Sequence, residues 1–112
     1  MKICYRMLLL LTALAMPLMI ALGKGDVAKG KTVFNRCAIC HGDSGEGNEA
    51  IEKALGAHRP DLGSKEVQAL DDSAMKKIIV EGKGKMQSVN LSDTELDDVI
   101  AFIRSLKKPS PK

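Results

Sequence analysis

The sequence predicts an all-α fold. Apolar residues recur at helical spacing in several segments, most clearly in residues 92–106, and the stronger segments begin with a capping residue. No run alternates apolar and polar residues for long enough to indicate a β-sheet. A chain of 112 residues allows one small domain, and we find no internal repeat that would suggest more.

Residues 1–23 predict a secretory signal peptide, which leaves residues 24–112 as the domain. Lys2 and Arg6 precede an uncharged apolar run over residues 7–22, and the small residue Gly23 marks the expected cleavage region. The run is shorter than the roughly 20 residues of a spanning helix and contains Pro17, so an uncleaved anchor is the less favoured alternative. We therefore expect export to the periplasm or an equivalent compartment.

Removal of this segment also changes the charge. Because Lys2 and Arg6 leave with it, the net charge of +3 falls to about +1. A domain so close to neutrality gives no argument for binding nucleic acid, and we expect no stable membrane insertion after cleavage.

The first half of the domain predicts two helices separated by glycine-rich loops. Asp26 is an N-cap candidate for a helix in residues 26–37, whose apolar positions are Val27, Ala28, Val33 and Phe34. Gly30 lies inside it at a cost of about 1 kcal/mol relative to alanine, which indicates that another backbone approaches closely there. A turn region follows, then a short helix over residues 49–55 and a second loop over residues 56–64.

The second half predicts two better-defined helices. One covers residues 72–81 and ends at Gly82, with an apolar face formed by Ala74, Met75, Ile78 and Ile79. The last begins at a capping box of Ser92 and Glu95 and ends before Pro109. Its apolar stripe is Leu96, Val99, Ile100, Ile103 and Leu106, with Phe102 beside it.

The predicted core is poor in large side chains. Phe34 and Phe102 are the only aromatic residues after residue 23, and the chain contains no tryptophan. Small domains with a limited core commonly gain stability from a disulfide, a metal or a cofactor. We therefore expect a large apolar cofactor in the interior.

Cys37, Cys40 and His41 allow three kinds of site. A redox disulfide of the thioredoxin type needs a strand–helix unit, which this sequence does not predict. Structural zinc needs four ligands, and there is no second cysteine pair after residue 23. A haem anchor uses all three positions, since two thiols bind the macrocycle edge and the following histidine ligates the iron. The haem interpretation is the strongest.

The second axial ligand of such an iron has three candidates. Met75 lies on a predicted apolar helix face, where methionine usually packs in the core, and His58 is a lone loop histidine. Met86 lies in a glycine-broken, lysine-flanked loop with no helix face to join. Met86 is the favoured ligand because a thioether suits both oxidation states of the iron.

Over nearly its whole length, the domain resembles the class I monohaem cytochromes c, notably their small bacterial and photosynthetic members. Besides the Cys37-Cys40-His41 motif, the similarity includes Gly30, Phe34 and Phe102. The resemblance implies a cytochrome c fold, with crossing N- and C-terminal helices and with short helices and loops around one covalently bound haem c.

For two further residues, the resemblance is the only basis for an expected role. The Pro60 carbonyl would accept a hydrogen bond from His41, and Leu62 would pack on the haem. The chain departs from the family at Gln87, where many members have proline after the ligand methionine. It also lacks a tryptophan or second tyrosine for a haem propionate, which leaves Arg59 or a loop lysine for that role.

The resulting functional hypothesis is a non-enzymatic, exported one-electron carrier with iron ligated by His41 and Met86. We expect a monomer whose partners are redox-protein donors and acceptors. Lys83 and Lys85 are candidates for the charges that steer such partners. The alternatives are a haem-based sensor of small ligands, with Met86 displaceable, and a tethered haem subunit of a larger oxidoreductase.

Overall fold

The computed structural model describes residues 24–109, so the predicted signal peptide lies outside the described residues. The described part is helical. Its helices are α1 (Val27–Phe34), α2 (Ala38–His41), α3 (Glu49–Leu55), α4 (Lys65–Gln68), α5 (Asp72–Glu81) and α6 (Asp93–Ser105). The only strand-like pairing in this range is an isolated bridge between Lys83 and Met86. Among these helices, none has the length and apolar character that crossing a bilayer requires.

The fold is organised by the crossing of α1 and α6. Gly30 and Phe34 are the buried residues of α1, and the rings of Phe34 and Phe102 have centroids 4.9 Å apart with planes tilted by 50°. A Cβ on Gly30 would lie 1.9 Å from the carbonyl oxygen of Asp98. The two backbones therefore touch at Gly30, which confirms the close approach that the sequence predicted.

Asp98 connects α6 to the start of α1. Its side chain is buried, and its Oδ1 accepts a hydrogen bond of 2.7 Å from the backbone N–H of Asp26, which itself caps α1 by accepting from Lys29 N–H. Asp26, the capping residue of α1, is thus held in place by a buried carboxylate of α6. The sequence does not indicate this role, because Asp98 follows another aspartate, Asp97, and lies outside the predicted apolar stripe.

A single apolar core lies between α1, α5 and α6. The predicted core methionine Met75 is buried, as are four of the five residues of the predicted α6 stripe; the fifth, Leu106, is partly buried against the core. The buried members are Phe34, Val67, Met75, Ile79, Leu91, Leu96, Val99, Ile100, Phe102 and Ile103. Leu62 and Met86 pack against this core while remaining partly exposed.

Polar contacts connect α6 to the chain before α5. The Arg104 guanidinium donates to the carbonyl oxygens of Gln68 (2.8 Å) and Leu70 (2.5 Å) and to Asp72. Gln68 in turn donates from Nε2 to the carbonyl oxygens of Leu62 and Ile103, at 2.8 and 2.9 Å. Charged and amide donors therefore satisfy backbone carbonyls that no regular helix would satisfy.

Two features differ from the sequence prediction. The first helix ends at Phe34 rather than continuing to Cys37, because the next residues form tighter turns in which Arg36 N–H donates to Val33 and Cys37 N–H to Phe34. The helix Lys65–Gln68 was not predicted; its one signal is Ser64, whose hydroxyl accepts from the N–H of Val67. One-turn helices are too short to show an apolar period.

Candidate functional site

The Cys-Ala-Ile-Cys-His motif forms its own short helix. Cys37 is the N-cap of α2, and its carbonyl oxygen accepts from the N–H groups of Cys40 (3.2 Å) and His41 (2.9 Å). The amide of Asn48 donates to the carbonyl of Ile39 at 3.0 Å, which secures the outer face of the turn. This compact turn brings the two thiols and the imidazole together, and neither Cys37 nor Cys40 forms a disulfide.

Met86 is presented by a tight loop that we call the methionine loop (residues 82–89). Lys83 and Met86 exchange both backbone hydrogen bonds, at 3.0 and 2.9 Å, so that Gly84 and Lys85 form the tip of a two-residue turn. The N–H of Val89 donates to the carbonyl oxygen of Ile79 at 2.8 Å, which attaches the end of the loop to α5. The position of Met86 is therefore fixed by backbone bonds on both sides.

A cavity of about 360 Å³ joins the motif to the methionine loop. Both cysteines, His41 and Met86 line it, although Met86 is far from the motif in sequence. Its remaining walls are formed by Arg36, Leu55, Arg59, Lys85, Gln87, Ser88 and Val89. Cavities of this size fall within the range of ligand and cofactor sites.

Burial shifts the pKa values of Cys37 and His41 in this cavity. Burial raises the pKa of the Cys37 thiol, although the charge of Arg36 partly opposes it. Burial, and next the positive charge of Arg59, lower the pKa of His41. A histidine with a lowered pKa is neutral at pH 7, and neutral imidazole is the form that ligates a metal.

The two less favoured candidates for the second axial ligand do not line the cavity. Met75 is buried in the core, 5% exposed, and His58 has a side chain that is 86% exposed, 3.4 Å from Glu52. Neither lines the cavity that contains His41. Of the three candidate ligands, only Met86 lines the same cavity as the motif.

Neither of the two residues predicted from the family resemblance lines the cavity. Leu62 is held by its backbone, since its N–H donates to Gly45 (2.9 Å) and its carbonyl accepts from Gln68. Pro60 is exposed. Nδ1 of His41 is buried and has no hydrogen-bond partner among residues 24–109, so the bond from His41 to the Pro60 carbonyl stays a prediction.

Arg59 is a residue of the site that the sequence does not single out. Arg59 is 8% exposed, lines the cavity and has its Nη1 buried without a hydrogen-bond partner among the described residues. Arginine is rarely buried without a partner, so its environment points to a group of opposite charge. The sequence shows only a charged residue in a loop, which is the usual pattern of a solvated side chain.

Comparison with known proteins gives the family. The model of the family described as "Cytochrome c" matches residues 27–107, which includes every helix from α1 to α6. The chain belongs to the cytochrome c family. Its single Cys37-Cys40-His41 motif makes it a monohaem, class I-like member, and the helical, strand-free fold of the described residues is that of a cytochrome c.

A solved structure agrees with this assignment. The protein named "KustC0563 c-type cytochrome" is 26% identical and superposes with a TM-score of 0.59. The match covers 70% of this chain and 98% of that one. No curated protein matches the chain as a relative.

The residues present fit the haem c that this family binds covalently. Cys37 and Cys40 have the spacing of the attachment motif, and their cavity also contains a neutral histidine and a thioether. In addition, the buried, unpartnered nitrogens of His41 and Arg59 are polar atoms that an additional group in the cavity would satisfy. The domain is therefore a haem-based electron-transfer domain.

Proposed function

We propose that this cytochrome c is an exported one-electron carrier between redox proteins, with His41 and Met86 as the axial ligands of its haem iron. The observation that supports it most is that Met86 lines the same cavity as Cys37, Cys40 and His41. When bound, haem c supplies a one-electron Fe(II)/Fe(III) couple. Export to the periplasm rests on the predicted signal peptide.

Each residue of the site has a separate role in this proposal. Cys37 and Cys40 would hold the cofactor by thioether bonds, and His41 and Met86 would ligate the iron, which would keep water and small molecules off it. Leu62 would contribute an apolar contact to the haem, and the carbonyl of Pro60 would orient the His41 ring. A rigid pair of ligands in both oxidation states keeps the reorganisation on electron transfer small, and thioether ligation favours a higher potential than two histidines.

The charged rim of the cavity supports transfer to protein partners. Arg36 and Lys85 line the cavity and are exposed, and Lys83 is exposed in the same methionine loop. Exposed cations at the mouth of a redox site accelerate encounter with an acidic surface and make the rate sensitive to salt. The expected partners are therefore redox proteins with an acidic docking face.

A spectroscopic comparison of two methionine variants tests the ligand assignment. The ferric wild-type protein should show the long-wavelength charge-transfer band of methionine-ligated haem, and Met86→Leu should lose it. Met75→Leu is the matched control, because Met75 lies in the core and not in the cavity. Survival of the band in Met86→Leu, or its loss in Met75→Leu alone, would contradict the assignment.

Two further measurements address attachment and the competing function. Cys37→Ala/Cys40→Ala should abolish covalent haem and leave the chain largely unfolded, since the core is small. Exposure of the ferrous protein to carbon monoxide should leave the wild-type spectrum unchanged. Rapid binding would instead favour a sensor with a displaceable Met86, which is the alternative function.

A further inference from the structure

Arg59 is a buried cation without an anion. Its side chain is 8% exposed, and Nη1 has no hydrogen-bond partner within residues 24–109. None of the ion pairs in that range includes Arg59. Asp61, two residues along the chain, is paired with Lys108. Glu52 accepts from the backbone N–H of Arg59 at 2.5 Å and also approaches His58. An unpaired guanidinium at such depth is strongly unfavourable.

The cavity beside Arg59 has the charge of an anion site. Its lining contains three cationic residues, namely Arg36, Arg59 and Lys85, and no aspartate or glutamate. The chain itself therefore places no compensating charge on these walls. The missing anion must come from whatever occupies the cavity.

Haem c carries two carboxylates at its periphery, the propionates. We propose that Arg59 binds a haem propionate through its guanidinium and so sets the reduction potential of the site. The inference rests on the proposed placement of the cofactor between Cys37, Cys40, His41 and Met86. A guanidinium is suited to this role, because its planar fork matches a carboxylate and it stays charged at every working pH.

Arg59 is better suited than the other two cations of the lining. The Arg36 side chain is 57% exposed and lies 3.4 Å from Glu95, so that its charge is both solvated and already paired. Lys85 is exposed at the tip of the methionine loop. Because solvent screens exposed charges, only the buried Arg59 has a strong field at the cavity.

A bound and neutralised propionate has a consequence for the redox couple. An uncompensated propionate charge stabilises the ferric state, which carries the larger positive charge, and therefore lowers the potential. Arg59 opposes this effect and also keeps the propionate ionised in both oxidation states. The wild-type potential should then depend little on pH around neutrality.

Potentiometric titration of the holoprotein at several pH values tests the proposal. Arg59→Gln should lower the midpoint potential and introduce a pH dependence that the wild type lacks, while Arg59→Lys should retain most of the wild-type value. Arg36→Gln is the matched control, since it removes an exposed cation of the same cavity and should shift the potential less. Intact covalent haem and the methionine band must first be verified in each variant.

The outcomes separate this proposal from the proposed function. A folded Arg59→Gln protein with its methionine band and an unchanged potential and pH profile would overturn the role of Arg59 and leave the electron carrier intact. Loss of the band in the wild type would instead contradict the ligand assignment.

If Arg59→Gln does not fold, Arg59→Lys provides the test through resonance Raman spectroscopy. Replacing a fork by a single ammonium should shift the propionate bending mode, and an unshifted mode would overturn the proposal.

Discussion

The helix crossing and the methionine loop both depend on glycine, for opposite reasons. At the crossing of α1 and α6, Gly30 is required because a partner backbone fills the space of a Cβ, with the Asp98 carbonyl oxygen 1.9 Å from it. At the tip of the methionine loop, Gly84 has nothing within 4 Å but adopts a φ of +58°. The first glycine makes a contact between elements, and the second provides a backbone conformation.

The difference shows how the two regions are stabilised. At the crossing, the Phe34–Phe102 contact and the Asp98–Asp26 hydrogen bond both depend on the distance between the axes of α1 and α6. The methionine loop depends instead on a few local backbone bonds. We therefore expect a substitution at the crossing to destabilise the whole fold, and a substitution in the methionine loop to disturb only that loop.

The substitution Gly30→Ala should have the largest effect on stability. Helix propensity alone predicts a gain of about 1 kcal/mol, because alanine is the better helix former. The new Cβ would instead meet the Asp98 carbonyl and, at 2.9 Å, the Cβ of Phe102. Overpacking against a backbone costs up to about 3 kcal/mol, so the free energy of unfolding should fall.

Denaturant unfolding of the covalently loaded protein measures this change. Lys29→Ala, at an exposed position of the same helix, is the control for the propensity effect and should leave stability nearly unchanged. A Gly30→Ala protein as stable as the wild type would show that the helices can separate at little cost.

The same substitution in the methionine loop should have a smaller effect. In Gly84→Ala the Cβ meets open space, and the cost is that of a left-handed backbone for a residue with a side chain, about 1 kcal/mol. Gly84→Asn is the matched control, because asparagine adopts this conformation more readily. The methionine band and the unfolding midpoint should be measured on both variants.

Two results would contradict the local character of the loop. One is a loss of stability in Gly84→Ala as large as that in Gly30→Ala. The other is an equal loss in Gly84→Asn, which would mean that the side chain and not the backbone conformation is at fault.

The sequence was sufficient for the crossing and only partly for the site. Gly30, Phe34 and the α6 stripe follow from helical periodicity and from a glycine that propensity does not explain. The attachment motif is a local pattern, so Cys37, Cys40 and His41 were recognisable without any structure. Asp98 and Arg59 were not, because the importance of a charged residue lies in its burial, and burial is decided by chain segments remote in sequence.

The smallest expected effect concerns the link between the end of α6 and the loop that contains Pro60 and Leu62. Asp61 accepts a side-chain hydrogen bond from Lys108, just after α6, and a second bond of 2.8 Å from the N–H of Gly63. The hydrogen bond from Lys108, followed by smaller contributions from Gly63 and from the Lys108 charge, holds the pKa of Asp61 below its ordinary value, although desolvation opposes it.

The sign of the pH dependence follows from this lowered pKa. A carboxylate with a lower pKa in the folded state contributes stability above its unfolded pKa of about 3.9 and loses it as the pH falls through the folded value. Asp61→Asn keeps an acceptor for Gly63 but removes the charge. Since the Lys108 side chain is 64% exposed, the wild type should be more stable by less than about 1 kcal/mol at pH 7.

Unfolding free energies of both proteins from pH 7 down to about pH 3 test this prediction. The difference between them should be constant near neutrality and shrink in acid. Lys108→Gln removes the same pair from its other partner and should show the same convergence. A difference that persists at the lowest pH would mean that Asp61 acts through its geometry at the Gly63 turn. The bond from the Lys108 N–H to the Gly63 carbonyl and the Gln68 bridge between Leu62 and Ile103 would then connect this loop to the end of α6 without help from the Asp61 charge.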